Sequence, residues 1–161
     1  MYISDIFETA QRLRRLPVSF EMFPPKGELT LERAREVAAS FAPLGPDFIS
    51  VTYSAGGSGN NAATTQIAQM IDTELAIPSV AHLTCISLKR ADLTAKIDEM
   101  RAAGVENVLA LRGDVPEGAP TGPGCADFRY AKDIIPPLVE AGFCVGAAAY
   151  PEGHLECDDL A

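Results

Sequence analysis

The stretch VSFEMFPPK (residues 18–26) sets one carboxylate, Glu21, among apolar side chains. An ionised carboxylate in apolar surroundings is destabilising unless it has a partner, or unless its pKa rises and it keeps its proton. A retained proton could be given to a reacting group. Glu21 is therefore either a paired structural acid or a proton donor.

A second candidate is LRGD (residues 111–114), which places a guanidinium and a carboxylate two residues apart. Residues two apart in a strand share one face, so Arg112 and Asp114 could form a simple ion pair. The alternative is that both residues belong to a binding or catalytic site. Polar side chains on the matching faces of the other strands favour this alternative. These are Glu21, Thr52, His82 and Tyr150.

The Gly-rich stretch AGGSGNN (residues 55–61) lacks the lysine of a P-loop and does not match GxGxxG. Its backbone N–H groups could hold an anionic group where a strand turns into a helix, and a plain turn of small residues is the alternative. The four lysines lie in predicted loops or helices, which argues against a Schiff-base enzyme.

Strand-like runs alternate with helical patterns and must position these residues. Five helices are expected: over about residues 3–15, after Thr30, around 62–74, from about Leu93 to Gly104, and around 126–140. In the last of these, Pro136 and Pro137 should end the helix early. The strand runs are residues 18–23, 47–53, 80–86, 107–114 and 144–150. A strand-then-helix unit of about 30 residues predicts a parallel α/β sheet.

The alternation of side chains within the strands predicts a barrel. A doubly wound sheet is covered on both faces and should be apolar on both. Here one face is polar or small in each run: Glu21 opposes Phe20 and Met22, and Arg112 with Asp114 is expected to oppose Leu109 and Leu111. This favours a (β/α)8 TIM barrel whose inner face lines a site at the carboxyl ends of the strands.

The length allows only part of such a barrel, because eight units typically need about 250 residues. The 161 residues are predicted to form a single partial TIM-barrel catalytic domain, about the first (βα)4β portion. Such a portion is either a fragment or a half-barrel. A half-barrel would close as a homo-oligomer or with a chain supplying the rest.

Charge and composition narrow the partners. The net charge of −9 opposes non-specific binding to nucleic acid or anionic membrane, so neither is expected as a partner; the small-molecule substrate expected here is the one that the resemblance given below implies. The N-terminal residues show no continuous apolar segment, and a cytoplasmic protein is predicted. The four cysteines show no CxxC pair and no metal-ligand spacing with the two histidines, so no metal is expected.

Several motifs in this order and spacing resemble the N-terminal half of methylenetetrahydrofolate reductases of the bacterial type, which have only a catalytic domain. They are VSFEMFPPK, PDFISVTYSAGG, AHLTC, NVLALRGD and AAAYPEGHLEC. The resemblance implies a flavin-dependent barrel that passes a hydride from NADH or NADPH to FAD. From there the hydride goes to 5,10-methylenetetrahydrofolate, giving 5-methyltetrahydrofolate for one-carbon metabolism and methionine biosynthesis.

The resemblance also implies roles for single residues. Glu21 would be the general acid that assists opening of the folate's five-membered ring, and Asp114 the carboxylate that stabilises the resulting cation. Members of the family continue through three more strands, so the motifs here cover mainly the flavin side. The positions matching FAD contacts are Thr52, Tyr53, His82, Leu111, Arg112, Gly113, Asp114, Tyr130, Ala131, Tyr150 and His154.

Overall fold

A computed structural model describes residues 1–24, 31–53, 61–114 and 127–153, without the side chains of residues 61 and 62. The strands are β1 (Ser19–Met22), β2 (Phe48–Val51), β3 (Ser79–Thr84), β4 (Asn107–Leu111) and β5 (Cys144–Ala147). The helices are α1 (Ile3–Arg12), α2 (Leu31–Phe41), α3 (Asn61–Glu74), α4 (Arg90–Ala102) and α5 (Ile135–Glu140). Each of the five predicted strand runs overlaps one strand, and β3 begins one residue before its run. Thr30, expected to cap α2, lies outside the described residues.

The five strands form one parallel sheet in the order β1-β2-β3-β4-β5, with β1 and β5 at its edges. Strands follow one another in sequence order and alternate with helices, as in a (β/α) barrel. The chain is an α/β protein of the (β/α)8 TIM-barrel type and contains about the first (βα)4β portion.

One face of the sheet packs against the helices. Its side chains are fully buried in β2, β3 and β4, where they meet apolar residues of α2, α3, α4 and α5. Burial of this apolar surface is the main source of stability for such a layer. The strand residues of this helix-side core are Ile49, Val51, Ala81, Leu83, Val108 and Ala110.

The opposite face, called the inner face below, carries the site candidates. Paired residues of neighbouring parallel strands project to the same side, so the register identifies the members of this face. Along the sheet they are Glu21, Ser50, Val80, His82, Leu109 and Gly146.

The predicted face assignment in β4 is wrong. Leu109 pairs with His82 and Leu111 with Thr84, so both leucines lie on the inner face and Val108 and Ala110 face the helices. The strand is apolar on both sides, so its residue types do not reveal its orientation, which pairing with β3 determines.

The expectation that Pro136 and Pro137 would end a helix early is also wrong. Both prolines lie in the first turn of α5, which runs on to Glu140. The first turn of a helix leaves its N–H groups without partners inside the helix, so proline loses no hydrogen bond there. The prolines therefore start the helix.

Helix α1 closes the amino ends of the central strands. Asn107, buried at the start of β4, accepts a hydrogen bond from Ile3 N at 2.9 Å through Oδ1. Its Nδ2 donates to Met1 O at 3.1 Å and to Ser79 O at 3.0 Å. One side chain thus ties α1 to β3 and β4, and the carboxyl ends of the strands are left for the site.

Candidate active site

Glu21 and His82 meet on the inner face. Glu21 precedes the last residue of β1 and pairs with Ser50 of β2, which pairs in turn with Val80 two residues before His82 in β3. The two side chains reach across β2, and Oε2 of Glu21 lies 3.6 Å from Nε2 of His82. The sheet therefore brings together a carboxyl group and an imidazole that are 61 positions apart in sequence.

The His82 imidazole is buried, with a side-chain exposure of 7% against 50% for Glu21. Its Nε2 has no hydrogen-bond partner among the residues that the structure describes. Burial lowers the pKa of His82, and the nearby Glu21 charge raises it by a smaller amount. A net lowering from an ordinary value of about 6.5 keeps this imidazole uncharged at neutral pH.

The segment after β4 is held tightly against β3. Cys85 N and Ile86 N both donate to Arg112 O, at 3.2 and 2.9 Å. Gly113 has a φ of +80°, and a Cβ atom there would lie 2.9 Å from Cβ of Thr84. Glycine is needed at position 113 for both reasons, since other residues rarely adopt that φ and none would fit without displacement.

Arg112 and Asp114 both lie beyond the end of β4. The alternation of side chains along a strand therefore does not apply to them. The expectation of an ion pair within the strand, which depended on that alternation, has no support. Arg112 is half-buried, and its Nε donates to Gly113 O at 3.3 Å, whereas Asp114 is exposed. Asp114 is thus open to a ligand.

Thr52 and Tyr53 follow β2 and point to different sides. Thr52 N donates to Met22 O at 2.9 Å, and Thr64 Oγ1 donates to Thr52 O at 3.0 Å. Tyr53 packs against the helix-side core, and burial raises its pKa to about 12. Its hydroxyl is buried without a partner in the described part of the chain, so Tyr53 could reach a ligand on the inner face only through its backbone.

The remaining predicted contacts lie near β5. The Tyr130 ring is half-buried between two cations, with the charged groups of Arg129 and Lys132 at 5.1 and 5.5 Å from its centroid. Ala131 packs against the helix-side core, and Tyr150, three residues past β5, is exposed. His154 lies outside the described residues.

Two features of this region do not follow from sequence reasoning. Leu109 and Gly146 pair with each other on the inner face, next to His82, and Arg129 and Lys132 flank Tyr130. The two cations could have been found from their spacing around Tyr130. Leu109 could not, because only the register with β3 shows which way it points.

The inner face has the surfaces that a flat aromatic cofactor with a phosphate tail needs. Leu109 and Leu111 are half-exposed there, and Gly146 packs closely on Leu109, since a Cβ atom at position 146 would lie 3.2 Å from Cδ1 of Leu109. The segments that follow β4 and precede α5 carry guanidinium and ammonium groups, which suit phosphates, at Arg112, Arg129 and Lys132. Among the described residues, no group of three potential ligands could hold a metal ion.

The described strands and helices form a barrel-type α/β protein that presents an acid, a neutral imidazole and apolar side chains on one face of its sheet. The family profile of methylenetetrahydrofolate reductase matches residues 7–161, and the chain belongs to this family.

Relatives with this family's name occur in bacteria, yeast and plants. The 5,10-methylenetetrahydrofolate reductase of Pectobacterium carotovorum is 36% identical over 143 residues, which cover 88% of this chain and 46% of that protein. Methylenetetrahydrofolate reductase 1 of Schizosaccharomyces pombe is 31% identical, covering 99% and 27%. Methylenetetrahydrofolate reductase (NADH) 1 of Arabidopsis thaliana is 31% identical, covering 100% and 28%.

The chain spans less than half the length of each of these relatives. Among solved structures, D-allulose 3-epimerase from Methylomonas sp. aligns with 81% of this chain and 51% of its own, at 15% identity and a TM-score of 0.39. That similarity is too low to support an argument. Within the described ranges, none of the helices has the length and apolar character needed to cross a membrane.

Proposed function

We propose that this chain carries the flavin-binding side of a methylenetetrahydrofolate reductase. The complete reaction would reduce 5,10-methylenetetrahydrofolate to 5-methyltetrahydrofolate with FAD as cofactor and NADH or NADPH as donor, in one-carbon metabolism and methionine biosynthesis. Family membership supports the reaction class. The observation that carries the proposal for this chain is the meeting of Glu21 and His82 on the inner face, where His82 pairs with Leu109 of β4. The free thiols of Cys85 and Cys144 suit a cytoplasmic enzyme.

The residues present fit an FAD molecule. Leu109, Leu111 and Gly146 offer an apolar surface for a ring system, and His82, which matches a flavin contact of the family, pairs with Leu109 on the same face. Arg112 offers a guanidinium for a pyrophosphate. When bound, FAD would supply the hydride carrier between the nicotinamide and the folate. Further contacts are proposed for Thr52, Gly113, Asp114, Tyr130, Ala131, Tyr150, His154 and the backbone of Tyr53.

Glu21 would hold and then give up the proton that the reaction needs. Its carboxyl group is half-exposed on the inner face, so it can contact a ligand without moving β1. The proton would leave a carboxyl oxygen for the amine nitrogen at the breaking C–N bond of the folate ring. A general acid in this position typically contributes about 10²- to 10⁴-fold to a rate.

Asp114 would act through its charge. It is exposed after β4, where the carbonyl oxygen of Arg112 accepts hydrogen bonds from the backbone of Cys85 and Ile86, the two residues that follow β3. A fixed carboxylate near a developing cation lowers the barrier because it need not reorganise during the reaction.

A second candidate is a subunit that completes a barrel with another chain and has no activity alone. The open sheet favours it, because β1 and β5 are edge strands that do not pair with each other. The carboxyl half of β5 is exposed as well, at Gly146 and Ala147. Unpaired edges in a parallel sheet normally require cover.

Turnover distinguishes the two candidates. The purified chain, reconstituted with FAD, is assayed for NADH and NADPH oxidation with an artificial electron acceptor and with methylenetetrahydrofolate. We expect Glu21→Gln to keep the first reaction and to lower the second at least about 100-fold, whereas Glu140→Gln, on the exposed side of α5, changes neither. Normal folate reduction by Glu21→Gln contradicts the role of Glu21. FAD binding without any folate turnover in the unchanged chain favours the second candidate.

A further inference from the structure

The contact between Glu21 and His82 has one exposed and one buried partner. At 3.6 Å, the distance between Oε2 and Nε2 is slightly longer than a hydrogen bond. Glu21 is half-exposed on an edge strand, so rotation of its side chain can close the gap, while the buried imidazole has little freedom. His82 is therefore the fixed member of the pair, and Glu21 is the member that adjusts.

Among the described residues, the charged group that faces His82 on the sheet comes from β1. β1 contributes the carboxylate of Glu21, whose charge acts on the imidazole. The neighbouring strands β2 and β4 present uncharged residues at the paired inner positions, Ser50 and Leu109. The charged residues Arg112 and Asp114 follow β4 beyond its last residue.

We infer that His82 is a positioning residue for Glu21: its neutral imidazole donates the Nε2–H to Oε2 of Glu21, so that Oε1 is the oxygen that carries the proton whenever Glu21 is protonated. This inference rests on the proposed role of Glu21 as proton donor. A donating Nε2–H suits both protonation states of Glu21, because Oε2 accepts from it as a carbonyl oxygen and as a carboxylate oxygen. The other tautomer would instead accept the carboxyl proton and compete with the substrate for it.

The proton balance follows from this arrangement. The O–H bond at Oε1 breaks, its electron pair stays on Oε1, and the proton moves to the amine nitrogen of the substrate. The charge left on Glu21 is stabilised by the Nε2–H of His82 through a hydrogen bond to an ionised acceptor, which is stronger than one to a neutral acceptor. His82 keeps its own proton throughout, so it acts on Glu21 and not on the substrate.

Nitrogen NMR of the chain with ¹⁵N-labelled histidine tests the inference without flavin or folate. The chain has two histidines, so a His154→Gln variant assigns the His82 signals. We expect Nε2 of His82 to be the protonated nitrogen at neutral pH. In a titration over about pH 5 to 8, Glu21→Gln should lower the pKa of His82 further, because it removes the carboxylate whose charge raises that pKa in the unchanged chain.

Two further variants sharpen the result. Glu21→Asp keeps the charge but withdraws it by one methylene, so it should give a smaller decrease, and Glu140→Gln should give none. Since Glu21 is half-exposed, these variants are expected to fold. A proton on Nδ1 with Nε2 unprotonated, or an unchanged His82 pKa in Glu21→Gln, overturns the inference. Because neither readout needs cofactor or substrate, this inference and the proposed function can fail separately.

Discussion

Gly113 lies so close to Thr84 that a Cβ atom at position 113 would be 2.9 Å from Cβ of Thr84 and 3.2 Å from its Cγ2. The contact fixes the backbone between Arg112 and Asp114 against the end of β3. Two charged residues that follow a strand would otherwise be free to vary in position. This contact is what gives the LRGD segment a defined place at the carboxyl end of β3, two residues past His82.

Gly113→Ala should destabilise the chain by about 2 to 3 kcal/mol, because it adds both an unfavourable φ and a steric overlap. The free energy of unfolding is measured by urea titration. Gly104→Ala is the matched control, since Gly104 also has a positive φ, +75°, but has nothing within 4 Å of the added Cβ. Equal losses in the two variants would show that crowding against Thr84 contributes nothing.

Asp47→Asn should remove a pH-dependent part of the stability. The side-chain hydrogen bond from Arg15, with a second from Val18 N, lowers the pKa of Asp47 from an ordinary 3.8 to about 2. A carboxyl group whose folded pKa is depressed stabilises the fold above its unfolded pKa, and this stability is lost as the pH falls through the folded value. Thermal unfolding from about pH 4 down to pH 2 should show this loss in the unchanged chain and a flatter profile in the variant.

Asp98→Asn, at an exposed position of α4, serves as the control for Asp47→Asn. Its profile should follow that of the unchanged chain. If Asp47→Asn also follows it between pH 4 and 2, Asp47 is not the group responsible.

Tyr53→Phe should leave FAD affinity unchanged and raise stability by up to about 1 kcal/mol. The variant removes a buried hydroxyl that has no partner among the described residues and lies on the helix side of the sheet. Fluorescence titration with FAD and urea unfolding measure the two effects. A large loss of FAD affinity would place the hydroxyl in the site.

Asn107→Ala should release α1 from the sheet. It removes three hydrogen bonds and leaves Ile3 N and Ser79 O without this partner, at a cost of about 1 to 3 kcal/mol. Amide hydrogen exchange should become faster in α1 than in α3. Glu106→Gln, which alters only the exposed ion pair with the N-terminal amine, should leave the exchange of α1 nearly unchanged.

The sequence predicts the main architecture because strands and helices of this protein have clear local patterns. Glu21 follows from the alternation in β1, where Phe20 and Met22 pack toward the helices and the acid projects to the other face. The site itself depends on long-range pairing. Leu109 and Leu111 were placed on the wrong face because β4 is apolar on both sides, and only its register with β3 decides.

Tyr53 and the prolines show two other limits. The motif places Tyr53 in the site, but its ring belongs to the helix-side core, since it continues the alternation of Ile49 and Val51. The two prolines were read as a helix end, although the rule that proline disrupts a helix does not hold in its first turn. In both cases the role of the residue depends on its position within the strand or helix, which the residue type alone does not give.

Titration of the purified chain with FAD measures whether the inner face is a flavin site. We expect saturable binding of one FAD per chain, seen as a yellow protein after gel filtration, and weaker binding by Arg112→Ala than by the control Arg101→Ala on the exposed side of α4. A folded chain that binds no FAD, or that binds it equally well without Arg112, would contradict the assignment of this inner face as a flavin site.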